Sequence, residues 1–216
     1  MRFLDRGEAG QRLAERMTAF ADREDVIVLG LPRGGVPVAA ALAERLHLPL
    51  DAVIVRKLGL PGHEELAMGA IAEGGVEVTD ERTLESFGVP RETVARVAAD
   101  ERFELARRER AYRGTRPPVP LTGRTVLLVD DGLATGASMR AAVRAVRDQG
   151  AARIVVAVPV APPEVANALA SSADEVVCLS TPSPFYAVGA WYDDFTPTTD
   201  AEVRALLAPA APSHVQ

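Results

Sequence analysis

Residues 126–138 read Val126-Leu127-Leu128-Val129-Asp130-Asp131-Gly132-Leu133-Ala134-Thr135-Gly136-Ala137-Ser138. Four consecutive aliphatic residues are typical of a buried parallel strand, and the apolar periodicity that follows predicts a helix over 138–149. A loop between such a strand and such a helix lies at the carboxyl end of the sheet, where open α/β sheets place their ligands. Small residues in the loop and the positive end of the helix predict a bound phosphate there. We call residues 132–138 the phosphate loop.

Two adjacent carboxylates, Asp130 and Asp131, precede the phosphate loop and would repel each other unless a ligand offered them hydroxyls or a metal. A ribose phosphate offers hydroxyls, because its 2′- and 3′-hydroxyls can donate to the acids while the loop surrounds its 5′-phosphate. A receiver-like phosphoprotein also places two acids at a strand end, but the next predicted strand, 154–158, is followed by Pro159-Val160-Ala161-Pro162 and offers no phosphorylatable aspartate. A purely structural turn is the remaining alternative.

This stretch closely resembles the signature of type I phosphoribosyltransferases, which bind 5-phosphoribosyl 1-pyrophosphate (PRPP). The resemblance runs from about residue 26 to about residue 179. It implies an α/β fold with a mostly parallel sheet flanked by helices, in a single domain over 1–216 with its core at about 24–180. It also implies Mg²⁺ as a cofactor, held mainly through PRPP. The PRPP-binding residues that it implies here are Asp130, Asp131, Gly132, Leu133, Ala134, Thr135, Gly136, Ala137 and Ser138.

A second glycine loop joins a predicted strand at 26–31 to a predicted helix at 38–46, and it contains Arg33, Gly34 and Gly35. The glycines permit close backbone approach to an anion, and the arginine suits bidentate phosphate contact. Alone, this pattern is weak. Beside the signature it resembles the pyrophosphate loop of the same family, which often contains a cis peptide that does not involve proline. We call residues 32–35 the pyrophosphate loop.

A further predicted strand, 51–55, ends in Arg56 and Lys57, which are expected on the same rim as the two loops. Such a cation pair is often only a solvated surface, but the resemblance implies contact with pyrophosphate. Dense glycines over 58–75 predict a mobile loop that closes over substrate and returns through a hairpin. His63, the only histidine in that loop, is interpreted as a surface residue.

Residues 80–115 are predicted to form a helical insertion with a charged, salt-bridged second half. The alternative is that an arginine of the insertion, or of the same helix in a partner subunit, reaches the pyrophosphate. Beyond the last predicted strand, at 175–179, five of the ten aromatic residues fall within 185–195. Residues 181–208, which we call the hood, are therefore predicted to cover a planar acceptor, although a small satellite core is the competing interpretation. The predicted acceptor contacts are Phe185, Trp191 and Tyr192.

Composition supports an ordinary globular protein. The 216 residues carry a net charge of −6, which argues against a nucleic-acid-binding surface. The single cysteine, Cys178, excludes an intramolecular disulfide, and no apolar run approaches the length of a membrane-spanning helix. We expect a cytoplasmic protein without membrane or nucleic-acid partners that binds PRPP and a small-molecule acceptor, with a homodimer possible. The residues beyond 208 are expected to form a frayed tail.

The reaction that the resemblance implies is transfer of the phosphoribosyl group from PRPP to a nitrogenous aromatic acceptor, with release of pyrophosphate. Its expected catalytic residues are Arg33, Lys57, Asp130 and Asp131. Relatives that act on purines often carry an acid or lysine shortly after the phosphate loop, where this chain has Met139 and Arg140. The acceptor is therefore undefined. The alternative function is a non-catalytic regulator that senses PRPP or a nucleotide on the same fold.

Overall fold

A computed structural model describes residues 1–208, with every side chain except those of Glu64 and Glu65. The expected tail at 209–216 lies outside this range. The described residues form seven helices and eight strands. The helices are α1 (Arg6–Arg16), α2 (Gly35–Leu46), α3 (Glu81–Phe87), α4 (Arg91–Arg113), α5 (Ala137–Asp148), α6 (Pro163–Leu169) and α7 (Asp200–Leu207). The strands are β1 (Val26–Gly30), β2 (Leu50–Ala52), β3 (Val55–Leu60), β4 (His63–Ala72), β5 (Val76–Thr79), β6 (Thr125–Val129), β7 (Arg153–Val160) and β8 (Glu175–Ser180).

The core is a parallel sheet with the strand order β2-β1-β6-β7-β8. All residues of β1 and β6 are buried, because apolar clusters cover both faces of the sheet. The register pairs Gly30 with Val129, so that β1 and β6 end side by side. The two glycine loops that follow these strands are therefore neighbours. This architecture confirms the predicted fold class.

A second, antiparallel sheet with the order β3-β4-β5 corrects the expectation for 51–75. The expected strand over 51–55 is the short edge strand β2 followed by the start of β3, and the expected loop with a returning hairpin is instead mostly the β3–β4 hairpin itself. Leu58, Met68 and Ile71 are buried under α3 and α4, which explains why this glycine-rich stretch is regular. At Gly69 a Cβ would lie 2.5 Å from Val78 O, so the glycine there permits close strand pairing.

Helices α3 and α4 form the predicted insertion, with Asp80 capping α3 and Gly114 ending α4. The charged surface of α4 is salt-bridged as expected, for example between Glu104 and both Arg107 and Arg108. At the end of α4, however, Arg113 turns into the core. Within residues 1–208, no helix combines the length and apolarity that crossing a membrane requires.

The N-terminal segment and the hood pack against each other. Phe3 N donates to Trp191 O over 2.8 Å, and Asp193 N donates to Phe3 O over 2.8 Å. The rings of Phe3 and Tyr192 lie 5.5 Å apart, and both residues are buried. Helix α1 ends at Arg16, and a 3₁₀ turn at Thr18–Phe20 follows it. The start of the chain is thus part of the wall above the carboxyl ends of the strands.

Candidate functional site

The centre of the candidate site is the pair of acids at the end of β6, facing the pyrophosphate loop at the end of β1. A Cβ added at Gly34 would lie 1.9 Å from Asp131 Oδ2, and one added at Gly35 would lie 2.9 Å from Asp130 Oδ1. Only glycine lets the backbone approach the two carboxylates this closely. The Pro32–Arg33 peptide bond is cis, as the resemblance implied. The structure therefore brings together two groups of residues that lie about 100 positions apart in sequence.

The two carboxylates share a sheltered environment. Burial, and then the adjacent charge of Asp131, raise the pKa of Asp130. Burial also raises the pKa of Asp131, although Arg6 opposes that shift. Two carboxylates in such surroundings are stabilised by a ligand that brings hydroxyl donors or positive charge. The pair is thus suited to a polyhydroxylated ligand.

Arg6, at the start of α1, belongs to this site and was not predicted from the sequence. Its Nε and one terminal nitrogen each lie 2.9 Å from Asp131 Oδ2. Its other terminal nitrogen donates to Thr196 O over 2.8 Å, and its guanidinium lies 4.0 Å from the centre of the Phe195 ring. The helical periodicity of α1 gave no signal for this role, because the contact with Asp131 spans 125 positions.

The phosphate loop connects the acids to α5 as predicted. Gly136 precedes the helix with φ of 70°, a backbone conformation that favours glycine. At Gly132 a Cβ would lie 2.6 Å from Val188 Cγ1, so the loop passes close beneath the hood. Leu133 is buried and anchors the loop in the core, whereas Ala134 and Thr135 are exposed. The first N–H groups of α5 have no acceptor within the helix, and they follow directly on this exposed segment.

The predicted cations lie in two places. Arg33 lines a cavity of about 340 Å³ together with Arg6, Gly34 and Asp131. Arg56 and Lys57 do not end a strand but lie within β3. The Arg56 Nε is 2.6 Å from Glu101 Oε2 on α4, and both side chains are one-quarter exposed. The predicted pyrophosphate contacts therefore do not all lie together. Arg33, Gly34 and Gly35 lie beside the two acids, whereas Arg56 forms an ion pair with Glu101 on α4.

Five arginines of the insertion form ion pairs away from the two acids. Four of them pair with glutamates: Arg91 with Glu81, Arg102 with Glu77, and both Arg107 and Arg108 with Glu104. Arg113 is buried against Asp51 and Glu73. These five arginines therefore contribute to the packing and surface ion pairs of the insertion, and a contact between an insertion arginine and pyrophosphate stays a prediction.

The aromatic residues of the hood divide into two groups. Tyr192 is 2% exposed, and its hydroxyl donates to Asp131 O over 2.6 Å. Because this buried ring offers no face for stacking, the predicted contact between Tyr192 and an acceptor conflicts with the structure. Phe185 stacks on Trp191 with ring centres 6.5 Å apart, and it lines a cavity of about 290 Å³ with Thr135 and Tyr186. The buried Nε1 of Trp191 has no hydrogen-bond partner among the described residues.

The two acids are the carboxylate donors that this site offers to Mg²⁺. Nowhere in residues 1–208 do three His, Cys, Asp or Glu side chains gather in a group that could hold a metal ion. Magnesium, however, commonly keeps its waters and binds through one or two carboxylates plus substrate phosphates. Asp130 and Asp131 beside the two anion-binding loops fit that mode, in which the substrate supplies most of the ligands.

The adjacent strands β1 and β6 of the parallel sheet both end in glycine loops, and two acids lie between these loops. This arrangement is that of an open α/β protein with its ligand crevice at the carboxyl ends of the strands. A family model described as the phosphoribosyl transferase domain matches residues 4–193. The chain belongs to this phosphoribosyl transferase family.

Two curated proteins of Mycobacterium tuberculosis are similar to this chain. They are "Putative phosphoribosyl transferase Rv0571c" of strain H37Rv and "Putative phosphoribosyl transferase MT0597" of strain CDC 1551. Each is 47% identical over 205 residues, which are 95% of this chain and 46% of the relative. The chain thus spans about half the length of these relatives.

A solved structure, that of TT1426 from Thermus thermophilus, is similar over almost the whole chain. It superposes with a TM-score of 0.83 at 49% sequence identity, covering 96% of this chain and 98% of the other. The likeness includes the insertion and most of the hood, because so little of either chain is left out.

Proposed function

We propose that the chain transfers the 5-phosphoribosyl group of PRPP to a nitrogenous aromatic acceptor and releases pyrophosphate. The observation that carries this proposal is the placement of Asp130 and Asp131 against Gly34 and Gly35, with the phosphate loop following directly. One crevice then offers acids for ribose hydroxyls, backbone and Arg33 for pyrophosphate, and a helix start for the 5′-phosphate.

In this proposal Asp131 and Asp130 accept hydrogen bonds from the ribose hydroxyls and lie near the positive charge that develops on the ring as pyrophosphate leaves. Arg33 and the backbone N–H of Gly34 stabilise the departing pyrophosphate, whereas the N–H of Gly35 donates to Leu31 O and the lack of a side chain at Gly35 permits the close approach. Asp130 and Asp131 would help to hold Mg²⁺ that binds mainly through PRPP, and such an ion would neutralise part of the negative charge of the pyrophosphate. Residues 132–138 hold the 5′-phosphate away from the reacting centre. Catalysis of this kind depends on positioning and preorganised electrostatics.

The acceptor is assigned to the space between the phosphate loop and the hood. Phe185 lines the cavity there, and Trp191, whose Nε1 is buried, stacks against the Phe185 ring. A planar heterocycle in this cavity would stack on the Phe185 ring. We therefore keep Phe185 and Trp191 as the acceptor contacts and regard Tyr192 as a support for Asp131.

The test is PRPP-dependent release of pyrophosphate in the presence of Mg²⁺, with a panel of purine, pyrimidine and small aromatic acceptors, beside calorimetric titration with PRPP. Release with one acceptor is the expected result and names the substrate. Tight PRPP binding without release from any acceptor would favour a PRPP-sensing regulator. Absence of PRPP binding would reject the proposal.

The Arg33→Ala variant is expected to weaken pyrophosphate binding about tenfold or more, because a charge-assisted contact to an anion is lost. Pyrophosphate binding is measured by calorimetry with Mg²⁺ present. The matched control is Arg144→Ala, since Arg144 lies on the exposed surface of α5 and pairs with Asp148. An Arg33→Ala protein with the wild-type pyrophosphate affinity would remove Arg33 from the site.

A further inference from the structure

Arg6 contacts three parts of the molecule whose relative positions matter for the proposed reaction. It contacts the Asp131 carboxylate at the end of β6, the backbone of Thr196 in the hood, and the ring of Phe195. Its side chain is only 11% exposed. A guanidinium held on three sides in this way has little freedom to act as an ordinary surface cation.

The position of Arg6 is fixed by the packing of its own helix. Asp5 caps α1 by accepting from Glu8 N over 2.8 Å, which places Arg6 in the first turn. Farther along, a Cβ at Gly10 would lie 2.3 Å from Val38 O, so α1 lies directly on α2. Helix α2 itself starts at Gly35, beside the acids. The start of α1 is therefore held relative to the pyrophosphate loop.

Both contacts of Arg6 with Asp131 are to one oxygen, Oδ2, which also lies against Gly34. From the opposite side, the Tyr192 hydroxyl holds the Asp131 carbonyl. The two Arg6 contacts restrict rotation of the carboxylate and engage Oδ2 rather than Oδ1, and the Tyr192 bond holds the backbone of the same residue. Arg6 also supplies the positive charge that favours the ionised form of a carboxylate next to Asp130.

We propose that Arg6 is a positioning residue for PRPP, which orients the Asp131 carboxylate so that Oδ1 accepts a ribose hydroxyl. This inference rests on the proposed function. Arg6 then affects binding of the ribose of PRPP through Asp131, and Arg33 contacts the pyrophosphate. Arg6 and Arg33 line the same cavity, but replacing Arg6 should affect PRPP binding only, whereas replacing Arg33 should affect pyrophosphate binding.

The experiment measures the affinities of Arg6→Met for PRPP and for pyrophosphate by calorimetry with Mg²⁺. We expect the PRPP dissociation constant to rise about tenfold or more, as for loss of a charged hydrogen bond, and the pyrophosphate constant to stay within about twofold. Arg6→Lys keeps the charge and is expected to restore part of the PRPP affinity. Arg12→Met, on the same helix and paired with Glu8, is the matched control and should bind both ligands like the wild type.

The outcomes separate the inference from the proposed function. If the wild-type protein binds PRPP and Arg6→Met binds it equally well or more tightly, Arg6 does not position Asp131 and the inference fails alone. Equal weakening of PRPP and pyrophosphate binding would also overturn it, since that pattern reports general damage or direct pyrophosphate contact. If the wild-type protein binds no PRPP, both proposals fail. Should Arg6→Met not fold, Arg6→Lys carries the same comparison, with loss of PRPP affinity alone expected.

Discussion

Replacing Asp131 by asparagine is expected to lower PRPP-dependent pyrophosphate release by about 100-fold or more, which corresponds to about 2.7 kcal/mol of transition-state stabilisation. The amide keeps the size of the carboxylate but removes the charge that faces the developing positive charge of the ribose ring. It also places either a neutral oxygen or an NH₂ group opposite Arg6 and Gly34, where the structure has the charged Oδ2. The loss should appear in both turnover and PRPP affinity.

The matched control for this prediction is Asp148→Asn. Asp148 pairs with the exposed Arg144 at the end of α5 that is opposite to the phosphate loop. Its replacement should leave pyrophosphate release unchanged, because exposed ion pairs contribute little. Circular dichroism and thermal unfolding of both variants show whether the fold is retained. Wild-type turnover in a folded Asp131→Asn protein would contradict the assignment of Asp131 to the ribose.

The sequence was sufficient to predict the parallel sheet and the centre of the site. Strands such as β6 are buried on both faces and are therefore uniformly aliphatic, and the residues at their ends must be small or polar. Because parallel strands end at one edge, the local patterns of 126–138 and of 32–35 already implied that the two loops lie on the same rim of the sheet. The register that pairs Gly30 with Val129 agrees with that expectation.

The second sheet was not predicted because its signals contradict each other locally. Glycines at 59, 62, 69, 74 and 75 normally indicate a loop, and the alternating apolar residues that identify β3 and β4 are interrupted by them. Burial of Leu58 and Met68 against the insertion makes the strands stable. That packing depends on helices that come later in the chain, so no short window around the hairpin contains the information.

The contact of Arg6 with Asp131 and the burial of Tyr192 were not predicted, for a similar reason. The relevant contacts join Asp131, just after β6, to the start of the chain and to the hood, over separations of 125 and 61 positions respectively. A helical pattern identifies which face of α1 is buried, but it does not state which group lies opposite its first residue. Likewise, an aromatic cluster beyond the last strand is compatible with both a stacking surface and a small core, and Tyr192 proves to belong to the core.

Replacing Arg113 by methionine is expected to destabilise the protein by about 3–5 kcal/mol, the usual cost of removing one partner from a buried ion pair. Arg113 lies between Asp51 and Glu73 and also donates to Ala52 O, and all three charged residues are less than a tenth exposed. The variant would leave two buried carboxylates without a cation at the junction of β2, the antiparallel sheet and α4. Urea unfolding at pH 7 measures the loss.

The stability lost in Arg113→Met is also expected to depend on pH, in a direction that follows from Glu73. Burial raises the pKa of Glu73, and Arg113 opposes that shift, so removal of Arg113 must raise the pKa further. The folded variant then keeps a proton that the unfolded chain releases, and its stability falls as pH rises above the ordinary glutamate pKa. The deficit should therefore be smaller at pH 5 than at pH 8. Arg144→Met, which removes an exposed pair, should cost less than about 1 kcal/mol at either pH. A pH-independent loss in Arg113→Met would instead indicate that only packing of the arginine side chain is lost.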